Sequence, residues 1–282
     1  MRMDEALREG VIALAHRAAA QILAVYDSAA FEDEAAIRQK DDRSPLTAAD
    51  LASHRCIVDG LAELTPGLPV LSEESATVEI AARRGWQRFW LVDPLDGTRE
   101  FIKRNGEFTV NIALIEQNEP IFGVVHAPVT GETWHARQGR NAYRRVGQVD
   151  TQIRTRSPAT GALKVAASRS HRDARTQAFL DAMGGIEEMS LGSSLKFCRI
   201  AEGALDVYPR FGPTSEWDTA AAQCVLEAAG GALLAPDGRA FRYNRRETLL
   251  NGDFVALGDM TLPWRTWLAQ ALGDEHGHAR IA

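Results

Sequence analysis

The chain has 282 residues, 45% of them hydrophobic and 25% charged, and its 32 Lys+Arg against 38 Asp+Glu give a formal charge of −6. That composition excludes a disordered chain and supplies a sizeable core, over a length that suits two domains or one large one. A mildly acidic chain is poorly suited to gripping a nucleic-acid backbone, so no nucleic-acid partner is expected; small anions remain candidates where metal ions or local Lys/Arg offset the charge.

Leu7, Val11, Leu14, Ala18, Ile22 and Val25 recur at three- and four-residue steps, which predicts an amphipathic first helix. His16, Arg17 and Gln21 interrupt its apolar stretch, and Asp4, Glu5 and Glu9 precede it in place of a basic segment. We read neither a signal peptide nor a membrane span there. Segment 31–44 is polar and reads as a solvated loop. A second helix is predicted from Thr47 to about Leu64, ended by Pro66-Gly67, and Pro69-Val70-Leu71 reads as a short buried strand.

Segments 88–92, 108–115, 120–126 and 133–136 read as strands, with a turn at Gln117-Asn118-Glu119. Beyond Gln148 the pattern alternates. Strands are expected at 165–167, 206–208 and 254–257, and helices at 171–183, 193–202 and 216–229. This predicts an α/β second half. Pro158 and Gly161 mark the boundary region, which suggests subdomains of 1–150 and 151–282. Cys56, Cys198 and Cys224 are far apart and odd in number, which argues against disulfides or a thiolate zinc site and fits a reducing compartment.

The acids carry the most information. In Leu91-Val92-Asp93-Pro94-Leu95-Asp96-Gly97-Thr98 an apolar strand runs into two aspartates around a stiff proline, with a permissive glycine after them. Such a turn can aim both carboxylates and the Leu95 carbonyl at one hard cation such as Mg²⁺. It reads equally as an ordinary strand-end turn. Glu73-Glu74 follows another short strand, and Asp218 opens a helix, where acids are favoured anyway. Thr47-Ala48-Ala49-Asp50 taken singly reads as a capping box.

Jointly, the order Thr47-x-x-Asp50, Glu73-Glu74, Asp93 to Thr98, then Trp217-Asp218 followed by Ala228-Ala229-Gly230-Gly231 resembles the inositol monophosphatase family of Mg²⁺-dependent, lithium-sensitive phosphatases. Ser72 stands where the family usually has glycine. Within the family, the runs from Asp96 to Ala113, from Gly192 to Phe197 and from Tyr208 to Thr214 are most similar to the CysQ-type 3′(2′),5′-bisphosphate nucleotidase branch.

The resemblance implies an α/β fold, a layered αβαβα sandwich of the inositol monophosphatase and fructose-1,6-bisphosphatase type. It implies two Mg²⁺ ions, one on Glu73, Asp93 and the Leu95 carbonyl, the other on Asp93, Asp96 and Asp218, with room for a weaker third near Glu73. Asp50, Thr98 and Glu73 become the catalytic residues, with Thr98 and Asp50 orienting and deprotonating water. Glu73, Leu95, Asp96, Gly97, Thr98, Ser194, Lys196, Arg210 and Asp218 become the substrate contacts.

Lys196 keeps two readings: a solvated lysine in the first turn of a helix, or, with Ser194, a contact to the second phosphate or the nucleotide. Lys40 matches a mobile lysine that closes on the metals, and His276 and His278 read as a disordered tail. The implied activity is removal of the 3′-phosphate from adenosine 3′,5′-bisphosphate, a by-product of sulfate assimilation. An inositol monophosphatase, a sugar-bisphosphatase and a metal- or nucleotide-sensing pseudo-enzyme are the alternatives. The branch also implies a cytoplasmic protein, with peripheral placement at the inner membrane and a homodimer both compatible with the reading.

Overall fold

The computed structural model describes residues 4–28, 38–39, 45–75, 80–167 and 173–272. Asp4 caps the first helix by accepting from the Leu7 N–H at 2.9 Å, and α1 (Glu5–Tyr26) buries the expected apolar stripe from Leu7 to Ile22, with Val25 half-buried. Two short strands, β1 (Arg38–Gln39) and β2 (Pro45–Leu46), pair antiparallel. They lead to α2 (Ala48–Leu64), which starts at the capping box of Thr47 and Asp50. Then β3 (Val70–Ser72) runs into a single 3₁₀ turn, Glu73–Ser75.

After α3 (Ile80–Arg84) comes the buried strand β4 (Arg88–Asp96), then a one-turn helix α4 (Thr98–Ile102). An antiparallel meander follows: β5 (Thr109–Glu116), β6 (Glu119–Ala127), β7 (Glu132–Arg137), β8 (Ala142–Val146) and β9 (Val149–Ile153). Strands β3 to β9 form one sheet in sequence order, in which β3 and β4 are parallel.

The second half contains β10 (Lys164–Ala167), α5 (Ala174–Met183), β11 (Glu187–Ser190), α6 (Leu195–Ala201) and β12 (Val207–Arg210). It continues through α7 (Glu216–Ala228), β13 (Ala232–Leu234), β14 (Phe254–Leu257) and α8 (Trp264–Leu272). Its sheet has the order β11-β10-β12-β14-β13, parallel where helices connect the strands and antiparallel at β12-β14-β13.

Strand alternation sorts the core into layers. Trp90 and Val92 of β4 face α1 and α2, where Val11, Ile57 and Leu61 meet them. Phe89 and Leu91 face the other way, onto α6 and α7. Those helices pack in turn on Tyr208, Phe254 and Ala256 of the second sheet, whose opposite side presents Val207, Val255 and Leu257 to α5 and α8. The stack is helices, sheet, helices, sheet, helices, which is the αβαβα sandwich expected. Small residues allow close stacking: a Cβ on Gly123 of β6 would collide with the Ala221 carbonyl oxygen of α7.

The structure adds elements that periodicity did not reveal: the β8–β9 hairpin, β11, β13, α8 and the short α3 and α4. Strand β9 and strand β11 are sheet edges with mostly exposed side chains, so they carry little hydrophobic signal. Lys40, most of the 31–44 segment, the start of the helix expected from His171, and the tail with His276 and His278 lie outside the described residues. Among the described residues no helix is long and apolar enough to cross a membrane.

Candidate metal centre and active site

The end of β4 is where the sheet stops being regular. Pairing with β5 is continuous up to Asp93↔Asn111 and resumes at Asp96↔Thr109 after a register shift. Pro94 at that shift brings no N–H to leave unsatisfied. The bulge turns Asp93 and Asp96 toward the same side, and Gly97, at φ 95, redirects the chain into α4. A Cβ on Gly97 would lie 3.2 Å from the Glu107 carbonyl oxygen and 3.3 Å from Ser193 Cβ, so both conformation and space demand glycine.

Asp218 arrives from the other half of the molecule. It is the third residue of α7, and its Oδ2 accepts from the Ser215 N–H at 2.8 Å. One carboxylate oxygen from each of Asp93, Asp96 and Asp218 lies within 4.8 Å of the others. Glu73, at the end of β3, lines the same cleft, which has a volume of about 390 Å³.

The protein resists charge on this cluster. Burial raises the Asp96 carboxyl above its ordinary range, against the pull of Lys196 and of the Ser194 and Asn111 hydrogen bonds. Asp218 is pushed well above its ordinary range, by burial first and then by the charges of Asp96 and Glu73. Converging carboxylates that the protein alone leaves poorly compensated are a donor set that a hard divalent cation completes. The residues present fit Mg²⁺.

Behind the acids stands a second pair. Asp50 is 2% exposed, and its Oδ2 accepts from both the N–H and the hydroxyl of Thr47, at 2.8 and 2.6 Å. Its Oδ1 accepts from the Thr98 hydroxyl at 3.2 Å. Thr98 lines the cleft and Asp50 does not. Asp50 is therefore a cap that is also joined to the cleft through Thr98.

Two buried cations also line the cleft. Lys196, in the first turn of α6, is buried, with Nζ 2.7 Å from the Ser193 carbonyl, 3.2 Å from the Leu191 carbonyl and 5.1 Å from the centre of the Tyr208 ring. Burial lowers its pKa to about 8, although Asp96 pulls it the other way. It is not the solvated helical lysine that was one of its two readings. Arg210, at the end of β12, is also buried and donates to the Pro213 carbonyl at 2.9 Å. Both line the cleft.

Ser194, expected among the substrate contacts, is tied to the acids of the cleft. It is 1% exposed and lies beneath the cleft floor. Its N–H and hydroxyl lie 2.7 and 2.9 Å from Asp96 Oδ2, its hydroxyl is also 2.8 Å from the Asp218 carbonyl, and it accepts from Asn111 Nδ2 at 2.9 Å. With its hydroxyl engaged this way, Ser194 joins Asp96 to Asp218. Its neighbour Ser193, at φ 45, lines the cleft instead.

Residues 5–273 match the inositol monophosphatase family. The chain belongs to that family. Its enzymes are metal-dependent phosphatases that typically use Mg²⁺. Over 246 residues this member is 49% identical to the 3′(2′),5′-bisphosphate nucleotidase CysQ of Salmonella typhimurium, an overlap of 87% of this chain and 97% of the relative. It is also 49% identical over 244 residues to the CysQ nucleotidase of Escherichia coli, covering 86% and 96% of the two chains. The crystal structure of CysQ from Bacteroides thetaiotaomicron, a bacterial member of the inositol monophosphatase family, superposes with a TM-score of 0.78 at 41% identity, covering 89% and 96%.

Some of this family member's cleft was not singled out from sequence. Glu107 accepts from the Gly192 N–H at 2.9 Å and so fixes the turn that precedes Lys196. Tyr208 supports the Lys196 ammonium, and Leu250 stands at the rim. Glu107 and Tyr208 lie in the runs that resemble the nucleotidase branch, but no short motif distinguishes them there from packing residues.

Proposed function

We infer that this chain is a Mg²⁺-dependent phosphatase that hydrolyses the 3′-phosphate of adenosine 3′,5′-bisphosphate to give AMP and phosphate. One observation carries the substrate assignment: a cleft with converging acids is also lined by two buried cations, Lys196 and Arg210. A metal-loaded acid cluster needs one phosphate. Lys196 and Arg210 can take a second anionic group on the same molecule, which an inositol monophosphate lacks.

In this reading Glu73, Asp93 and the Leu95 carbonyl would hold one Mg²⁺, Asp93, Asp96 and Asp218 would hold another, and a weaker third would sit near Glu73. Bound there, Mg²⁺ supplies positive charge to the phosphate and its leaving oxygen and makes water a better nucleophile. The Thr98 hydroxyl, held by Asp50, orients the attacking water. As water adds to phosphorus, Thr98 Oγ1 takes its proton and passes its own to Asp50 Oδ1. The bond from phosphorus to O3′ breaks, and the ribose oxygen leaves with a proton from solvent. The backbone N–H groups of Gly97 and Thr98 lie beside the acids at the start of α4 and hold the phosphate. Lys196 and Arg210 hold the 5′-phosphate.

Free cysteines at 56, 198 and 224 agree with a cytoplasmic setting. The test is phosphate release with Mg²⁺ from a panel of esters: adenosine 3′,5′-bisphosphate, its 5′-phosphosulfate relative, inositol 1-phosphate and fructose 1,6-bisphosphate. The nucleotides are expected to give the highest kcat/KM. A preference for the inositol or sugar ester would overturn the nucleotidase reading and leave the phosphatase reading intact.

A further inference from the structure

Among the described residues, six large hydrophobic side chains are exposed: Val129, Val146, Val149, Met189, Leu250 and Met260. Of these, only Leu250 lines the cleft. It is 50% exposed, yet it is not on a loose loop. Its backbone forms a bridge with Ser215, the residue that caps α7 and donates to Asp218. On either side the Leu249 carbonyl accepts from the Glu216 N–H at 2.8 Å, and the Asn251 N–H donates to the Thr214 carbonyl at 2.7 Å. The Asn251 side chain adds a bond to the Ser215 carbonyl at 2.7 Å. A water-exposed leucine is thus clamped by the same residues that start the helix of Asp218.

We propose that Leu250, with Leu191 and Pro213 beside it in the cleft, forms the apolar wall against which the nucleobase of the substrate rests. The inference builds on the nucleotidase reading above and names the contact that selects a nucleoside. The remaining chemistry of the cleft is accounted for by anions: the acids and their metals take the cleaved phosphate, and Lys196 and Arg210 take the second. A leucine can serve neither. The part of an adenosine bisphosphate still without a partner is a flat ring with apolar faces, and covering such a face removes both the ring and the exposed leucine from water. The clamp on both sides of Leu250 fixes this wall before the ligand arrives, so little ordering is lost on binding.

Three substrates separate the outcomes: adenosine 3′,5′-bisphosphate, the abasic tetrahydrofuran 3,5-bisphosphate that keeps both phosphates, and inositol 1-phosphate. Leu250→Ala is expected to raise KM for the nucleotide about 10-fold, with kcat held, as loss of one apolar contact would. The abasic bisphosphate should move by less than about twofold, because it never used the wall. Leu250→Met, which keeps an apolar side chain of similar volume, should restore the nucleotide KM. Equal losses on nucleotide and abasic ester, or no loss on either, would overturn the assignment of Leu250. If wild-type protein prefers inositol 1-phosphate to the nucleotide, the nucleotidase reading fails and this inference falls with it. Wild-type preference for the nucleotide, with Leu250→Ala indifferent to the base, removes Leu250 alone.

Discussion

The Thr98 hydroxyl donates to Asp50 Oδ1 at 3.2 Å and so ties the first turn of α4 to the capping box of α2. The other oxygen of Asp50 is spent on Thr47. Asp218 repeats the arrangement at the start of α7, where it accepts from the Ser215 N–H while facing the cleft. In both places a helix cap orients a carboxylate in or beside the cleft, because the bond that satisfies an orphan N–H also fixes the side chain's direction.

That arrangement makes Thr98 and Asp50 one unit. Thr98→Val, which keeps the shape and removes the hydroxyl, should lower kcat by about 10²-fold, the low end for losing a positioned proton acceptor. Asp50→Asn should cost a similar factor. The double variant should be little worse than either single one, since both remove the same relay. Steady-state kinetics of the three variants check this, with thermal melts to establish folding. Losses that multiply would contradict a shared role.

Metal and pH are linked through Asp96 and Asp218. Both hold their protons more tightly in the metal-free fold than in the unfolded chain. Their raised folded pKa contributes stability that is complete below the ordinary aspartate range, near pH 3.9, and is lost as pH climbs through the raised values. The metal-free protein should therefore melt at lower temperature as pH rises from about 4 toward neutrality, as far as these two groups are concerned. Mg²⁺ binds the charged carboxylates, so its stabilising effect should be larger at pH 8 than at pH 5. Melts in chelator and in Mg²⁺ across that range test it. In Asp93→Asn protein the Mg²⁺ response should shrink and turnover should drop at least ~10²-fold. Near-normal activity of that variant would sink the shared-ligand assignment.

Lys196 should report on the second phosphate. Lys196→Ala should lower kcat/KM for adenosine 3′,5′-bisphosphate by roughly 10- to 150-fold, the equivalent of one charge-assisted hydrogen bond at ~1.4 kcal/mol per factor of ten. Inositol 1-phosphate hydrolysis should change little. The free-enzyme pKa of about 8 adds a pH signature: kcat/KM for the bisphosphate should decline above about pH 8 as the ammonium loses its charge. Bound Mg²⁺ moves that decline downward, not upward. A flat profile to pH 9.5 would mean that Lys196 keeps its charge there, and equal losses on both substrates in Lys196→Ala would place it outside substrate binding.

Competing cations form the last test. Li⁺ is close to Mg²⁺ in size with half its charge, and Ca²⁺ is larger and takes looser coordination. Both should inhibit at fixed Mg²⁺. Initial rates that stay level as either ion is titrated would argue against the Mg²⁺ assignments on Asp93, Asp96 and Asp218.

Much of the protein was legible from local pattern. The stripe of α1, the capping box at Thr47, the acid Asp218 in the first turn of α7, and the apolar strand ending in Asp93-Pro94-Leu95-Asp96-Gly97 are each written within a few neighbouring residues, and backbone sterics and periodicity suffice to read them. The order of the acids carried the family. What local pattern could not decide is which groups face one another. Ser193 and Ser194 are adjacent and chemically alike, yet a backbone at φ 45 turns one to the cleft and sinks the other beneath Asp96. Lys196 became a buried cation because Tyr208 and the Ser193 carbonyl, on a strand and a turn of the second half, close over it. Leu250 acquired a meaning only when a bridge to Ser215 set it beside acids more than thirty residues away in sequence. Periodicity and turn chemistry act over one or two turns of chain, whereas burial and the pairing of charges are properties of the surface that the folded layers bring together.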